Sequence, residues 1–158
     1  MFRRKFFCVL LPVCGLLAQL PYPVPLPPQK DLPYLVHGDN LVATEARVAE
    51  SRERRFDTVF AVPGEAAAAR TPLASPIFVF DAGRIDAGKF QLYRLEAGAG
   101  HRELAVQRRG RGGAKSFRIN VYPVSGGVYR IEAAESLPNG EYALTPDGTN
   151  DAFCFAVY

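Results

Sequence analysis

Tryptophan is absent from the 158 residues, histidine occurs twice, and cysteine occurs three times, twice within the first fourteen positions. Each shortage removes a class of reading. With Cys8 and Cys14 close to the N-terminus, Cys154 is left as the one thiol in the body of the chain, so no intramolecular disulfide framework holds a domain together and no CxxC pair offers a zinc or redox site. His37 and His101 stand far apart, and His37-Gly38-Asp39 supplies at most two ligands where a stable transition-metal site wants three or four. HExxH, GxSxG and P-loop patterns are all missing. No apolar run reaches the roughly 20 residues that a membrane-spanning helix needs. The expectation is a protein with no cofactor, no metal and no catalytic constellation.

What is present is ordinary for a folded protein: 48% apolar and 22% charged residues, in a chain long enough for one domain. The N-terminus carries Arg3, Arg4 and Lys5, followed by an apolar stretch from Phe6 to Leu17 broken by Pro12. Positive flank, short apolar core and Ala18 together read as a secretory signal peptide over residues 1–18. A lipid-anchored alternative uses Leu11-Pro12-Val13-Cys14, with the lipid on Cys14. Cleavage after Ala18 removes three basic residues and no acidic one, which takes the net charge from +3 to zero. The basic character therefore belongs to the signal, and it gives no warrant for a nucleic-acid partner. Residues 19–30 contain the run Pro21-Tyr22-Pro23-Val24-Pro25-Leu26-Pro27-Pro28, an extended polyproline-like spacer. The domain is expected over residues 31–158, exported to the periplasm or the extracellular space, with no membrane span in the mature protein.

Within that domain, short apolar runs alternate with turn residues every 8 to 12 positions. Strands are expected at 32–36, 57–62, 77–80, 90–95, 103–108, 116–124, 128–133, 141–145 and 152–158. Residues 41–48 are left open between strand and helix. Residues 50–55 read as a charged loop, and 65–70, with four alanines, as one helical turn. Eight or nine short strands with few helical signals make an all-β, antiparallel β-sandwich. Cys154, between Phe153 and Phe155, is expected in the core as a small apolar residue.

Leu137-Pro138-Asn139-Gly140-Glu141-Tyr142-Ala143-Leu144 resembles the L-x-x-G-x-Y-x-L corner of immunoglobulin-like and carboxypeptidase-regulatory-like sandwiches, and the chain as a whole resembles exported bacterial proteins that end in such a strand pair. The resemblance implies an immunoglobulin-like sandwich. It places Tyr142 at the start of the penultimate strand, with its hydroxyl bonded to backbone a few residues upstream. It implies no functional residues, and the tryptophan and paired cysteines of antibody-type domains are missing.

Charge is unevenly spread. Residues 104–131 carry Arg108, Arg109, Arg111, Lys115, Arg118 and Arg130 and no acid, whereas 132–158 carry Glu132, Glu135, Glu141, Asp147 and Asp151 and no base. Cross-strand ion pairs account for this, and the basic members Arg108, Arg109, Arg111, Lys115 and Arg118 are the candidate interaction surface. Asp147-Gly148-Thr149-Asn150-Asp151 is oxygen-rich but lacks the spacing of a calcium loop, so it reads as a hairpin turn. The expected function is a noncatalytic exported module that binds or scaffolds a protein or glycan of the cell envelope. The alternative is an accessory enzyme or small-ligand-binding domain of the periplasm, using carboxylates such as Asp81 and Asp86.

Overall fold

The structure is a computed structural model that describes residues 25–107 and 113–158. The described residues form an all-β, sandwich-like arrangement of fourteen strands in two sheets, with one 3-10 turn at Ala87–Lys89. The first sheet holds five strands: β1 (Tyr34–His37), β2 (Asn40–Ala43), β7 (Ile77–Asp81), β11 (Ile119–Ser125) and β12 (Val128–Ala133), in the order β11-β12-β7-β1-β2. The second holds nine: β3 (Glu45–Val48), β4 (Glu50–Glu53), β5 (Asp57–Pro63), β6 (Arg70–Thr71), β8 (Phe90–Gly98), β9 (His101–Gln107), β10 (Ser116–Phe117), β13 (Gly140–Pro146) and β14 (Asp151–Val157). Its main path is β3-β14-β13-β8-β9-β5-β4; β10 adds to β8, and β6 adds to β14 in parallel.

Strand alternation builds the core between the two sheets. Leu35, Phe78, Phe80 and Ile131 project from the five-stranded sheet onto Leu92, Tyr142, Leu144 and Phe155 of the other. Phe78 meets Phe155 edge-on at 5.0 Å, and Phe80 meets Phe90 edge-on at the same separation. Burying one such large side chain contributes about 1.5–3 kcal/mol, so this layer supplies most of the drive to fold.

Fourteen strands replace the expected eight or nine because several extended runs change partners midway. At Thr44 the chain leaves β2 in one sheet and enters β3 in the other; the Thr44 hydroxyl donates to the Pro33 carbonyl (2.8 Å), and its peptide N–H donates there too (3.1 Å). At Arg118 the run 116–125 switches from β10, on β8, to β11, on β12. Residues 41–48 are therefore strand rather than helix. The charged segment 50–55 is not a loop. Its first four residues form β4 on β5, since a backbone ladder is open to exposed polar residues on an edge. The alanine run 65–70 is not helical: Ala67 and Ala69 are buried by the second sheet, and Arg70–Thr71 pairs beside β14.

The end of the proline-rich segment packs on the domain. Pro27 is buried and Lys30 bridges to Asp81, both inside the stretch 19–30 expected as spacer. The Asp31 carboxylate accepts peptide N–H bonds from Gly83, Arg84 and Ile85 at 2.8–2.9 Å. Gly83 is required for this, because a Cβ there would lie 2.7 Å from Asp31 Oδ2.

Tyr142 sits on the penultimate strand, fully buried, and its hydroxyl donates to the Pro138 carbonyl at 2.6 Å. Its ring stacks on Phe155 and meets Phe117 edge-on. Tyr142→Phe removes the hydrogen bond of a fully buried hydroxyl, an expected loss of about 1–2 kcal/mol. Tyr142→Ala also opens a cavity, with an expected loss of about 3–5 kcal/mol. Urea titration followed by circular dichroism measures both, and losses below about 0.5 kcal/mol would place Tyr142 outside the packing core.

Candidate functional site

The second sheet rolls up. Its two edges, β3 and β4, are consecutive in the chain with only Ala49 between them. Residues 45–48 pair with β14, the Ala49 N–H donates to the Asn150 carbonyl (2.8 Å), and residues 50–53 pair with β5. The extended run 45–53 thus closes a ring with β14, β13, β8, β9 and β5. Alternation then gives these strands an inner face of their own. Leu95, Ala143, Ala152, Cys154 and Ala156 form a second buried cluster with Ala49 and Val62, against which Phe60 and Leu104 pack.

The inner positions are small for a geometric reason. A barrel of about eight strands is just wide enough to be filled by side chains, and a ring of six is narrower. On β13 and β14 the inward residues are Ala143, Ala152, Cys154 and Ala156, while the outward ones, facing the sandwich core, are Tyr142, Leu144, Phe153, Phe155 and Val157. Cys154 is fully buried and free, and burial pushes its thiol up to about 11, which keeps it in the unreactive protonated form.

One end of the barrel is shut by a charge cluster. Arg102 of β9 is 0% exposed. Its Nη2 donates to both Glu45 carboxylate oxygens (3.2 and 3.3 Å) and to the Pro63 carbonyl (3.0 Å). Nε donates to the Gly64 carbonyl (3.0 Å) and Nη1 to Glu141 Oε2 (3.4 Å). Gly64 holds φ at +90°, a left-handed backbone that favours glycine and presents its carbonyl to the guanidinium. The loop 64–69 covers this end, with the Ala67 N–H donating to Glu141 (2.9 Å) and the Ala68 N–H to Glu45 (3.2 Å). Arg47 Nε also donates to Glu45 (2.7 Å), so two arginines face two carboxylates. Burial by itself would raise the Glu45 carboxyl; the bonds from Arg47, Arg102 and the Ala68 N–H outweigh it and hold the group below the usual carboxylate range.

The other end is open and hollow. A cavity of about 310 Å³ lies between Phe60, Leu104 and Val106 on one wall and Ala143 and Ala152 on the other, with Leu95 deep in the barrel. Its rim is the β13–β14 turn, residues 147–150, where the Thr149 hydroxyl and N–H both donate to the Pro146 carbonyl. Tyr93 lines the cavity beside Gln91, to which its hydroxyl donates. Burial first, and then the nearby Asp147 charge, push the Tyr93 hydroxyl above its ordinary value.

The residues singled out from sequence lie mostly elsewhere. Arg108, Arg109 and Arg111 fall outside the described residues. Lys115 and Arg118 are exposed; the Arg118 N–H donates to Glu135 (3.1 Å). Asp81 pairs with Lys30 (3.1 Å), and Asp86 caps the 3-10 turn by accepting from the Gly88 N–H (2.9 Å). His37 lies in the β1–β2 hairpin, opposite Asn40. The sequence reading did not group Arg102 with Glu45 and Glu141, because the two acids lie 57 and 39 positions from the arginine and share no local pattern with it. No family model, curated protein or solved structure matches this chain.

Asp31, Glu45 and Glu103 all have carboxyls held below their ordinary values. In each, burial opposes the shift. Backbone N–H groups overcome it at Asp31, the arginine bonds at Glu45, and Arg54 with His101 at Glu103. A depressed native value means that the unfolded chain takes up protons first as pH falls. The stability from these groups is complete above the unfolded values, near pH 4, and drains away below them as the native groups protonate. The urea midpoint is expected to fall between pH 5 and pH 3, and to fall less in Glu45→Gln; a midpoint that holds or rises over that interval contradicts the assignment.

Proposed function

We propose that this chain is a noncatalytic, exported binding module whose small barrel takes up a low-molecular-weight, largely apolar ligand. The observation that carries this reading is the cavity of about 310 Å³ at the open mouth of the barrel. Ligand sites are typically concave, mostly apolar and carry a few polar groups, with volumes upward of about 300 Å³. Here the wall is made of Phe60, Leu95, Leu104 and Val106, and polar groups gather at Gln91, Tyr93 and the rim turn. The far end is closed, so the mouth is the route of entry. The carboxylates of the enzymatic alternative, Asp81 and Asp86, are engaged in a salt bridge and a turn cap rather than in the cavity, which favours binding over acid–base chemistry. A macromolecular partner, protein or glycan, would instead use the exposed Lys115 and Arg118, whose guanidinium faces Glu135 at 3.9 Å.

The test fills the hollow. Ala143 lines the cavity and is buried, so Ala143→Leu places apolar atoms into space that holds none. The wild-type protein is expected to bind the fluorescent probe N-phenyl-1-naphthylamine saturably, with one probe per chain. Ala143→Leu is expected to weaken this at least tenfold while keeping its urea midpoint, since it fills a void rather than overpacking a full core. Absence of saturable binding, or equal affinity in the variant, would overturn the reading.

A further inference from the structure

Resting on that binding reading, we infer that the ligand is a medium-chain amphiphile with a cationic head: an apolar body of about ten carbons that enters the barrel, and an ammonium group left at the rim. Size argues for the body. An engineered apolar cavity of about 150 Å³ holds one benzene, and the cavity here, about 310 Å³, is twice that. It accepts a chain of about ten carbons and closes at Leu95 and Ala143, beyond which the barrel is filled by Cys154 and the Arg102 cluster.

Charge argues for the head. The described lining carries two ionisable acids, Asp147 and Asp151, and no lysine, arginine or histidine. Neither acid makes a salt bridge among the described residues. Lys89, whose carbonyl accepts the Asp147 N–H (2.9 Å), forms no ion pair with it. Asp147 is exposed at the mouth and shares the lining with Tyr93, whose hydroxyl is raised by burial first and by the Asp147 charge second. Thr149 and Asn150 add acceptor oxygens to the same rim. A head rich in donors and positive in charge complements this set, and a carboxylate meets like charge. Sequence positions 108–111, two or more residues beyond Val106, hold three arginines outside the described residues, so the experiment carries an anionic arm.

Displacement of N-phenyl-1-naphthylamine from the wild-type protein by decylamine, decanol and decanoate, each below its micelle concentration at pH 7, separates the outcomes. Decylamine is expected to bind at least fivefold more tightly than decanol, with decanoate the weakest. Asp147→Asn/Asp151→Asn is expected to bring decylamine level with decanol while leaving decanol unchanged. Equal binding of all three, or preference for decanoate, overturns the cationic head but keeps the apolar cavity. Failure of all three to displace a probe that itself binds overturns the medium-chain body. Hexylamine binding as tightly as decylamine would do the same.

Discussion

Residues 45–53 spend their hydrogen bonds on two different strands, and the change of partner at Ala49 turns a sheet into a ring. Before Ala49 the run belongs to β14; after it, to β5. Without that hand-over, β3 and β4 would be the open edges of a twisted sheet, with unpaired backbone groups exposed to other chains. With it, β14, β13 and β8 each gain a second buried face. These strands then serve two cores, an aromatic one facing the five-stranded sheet and a small-residue one facing the barrel axis. The demand on sequence is strict, because alternate positions must be large and small.

The two ends of the barrel solve different problems. At the closed end a guanidinium is removed from water, which costs several kcal/mol unless the charge is paired and its donors are used. Arg102 meets two carboxylates and two carbonyls, and Glu45 is shared with Arg47, so the cluster is balanced in charge and rich in hydrogen bonds. Such a cluster contributes little net stability over an apolar filling, but it is exacting about geometry, tying β9, β3, β13 and the loop 64–69 into one arrangement. At the open end, small residues on β13 and β14 face larger ones on β5 and β9 across space that no side chain fills. A fixed floor and an unfilled mouth are the makings of a binding site.

The sequence disclosed the layers better than the ring. Period-two alternation in β8, β12, β13 and β14 is written in the chain, and Tyr142 and Cys154 lie buried in the terminal strand pair. Runs that change sheets, at Thr44 and Arg118, read as single strands, since nothing in an extended run says which neighbour it will pair with. β4, with Glu50, Arg52 and Glu53, looks like a loop because its side chains are all exposed, yet its backbone pairs with β5. The barrel did leave a trace: Ala152, Cys154 and Ala156 alternate with Phe153, Phe155 and Val157, a large–small rhythm of a strand with two unequal buried faces. Arg102 left none, since its partners come together only when the sheet closes.

Closure is the claim on which cavity, charge cluster and ligand all depend, and interstrand proton contacts in solution test it most directly. Nuclear Overhauser spectra of uniformly labelled protein are expected to link residues 45–48 with 151–154 and, from the same run, residues 50–53 with 58–61, alongside contacts for β14–β13, β13–β8, β8–β9 and β9–β5. Those six pairings admit only a ring. Spectra linking 45–53 to one of its two neighbours and not the other would leave an open sheet, and the barrel, its mouth and its ligand would go with it.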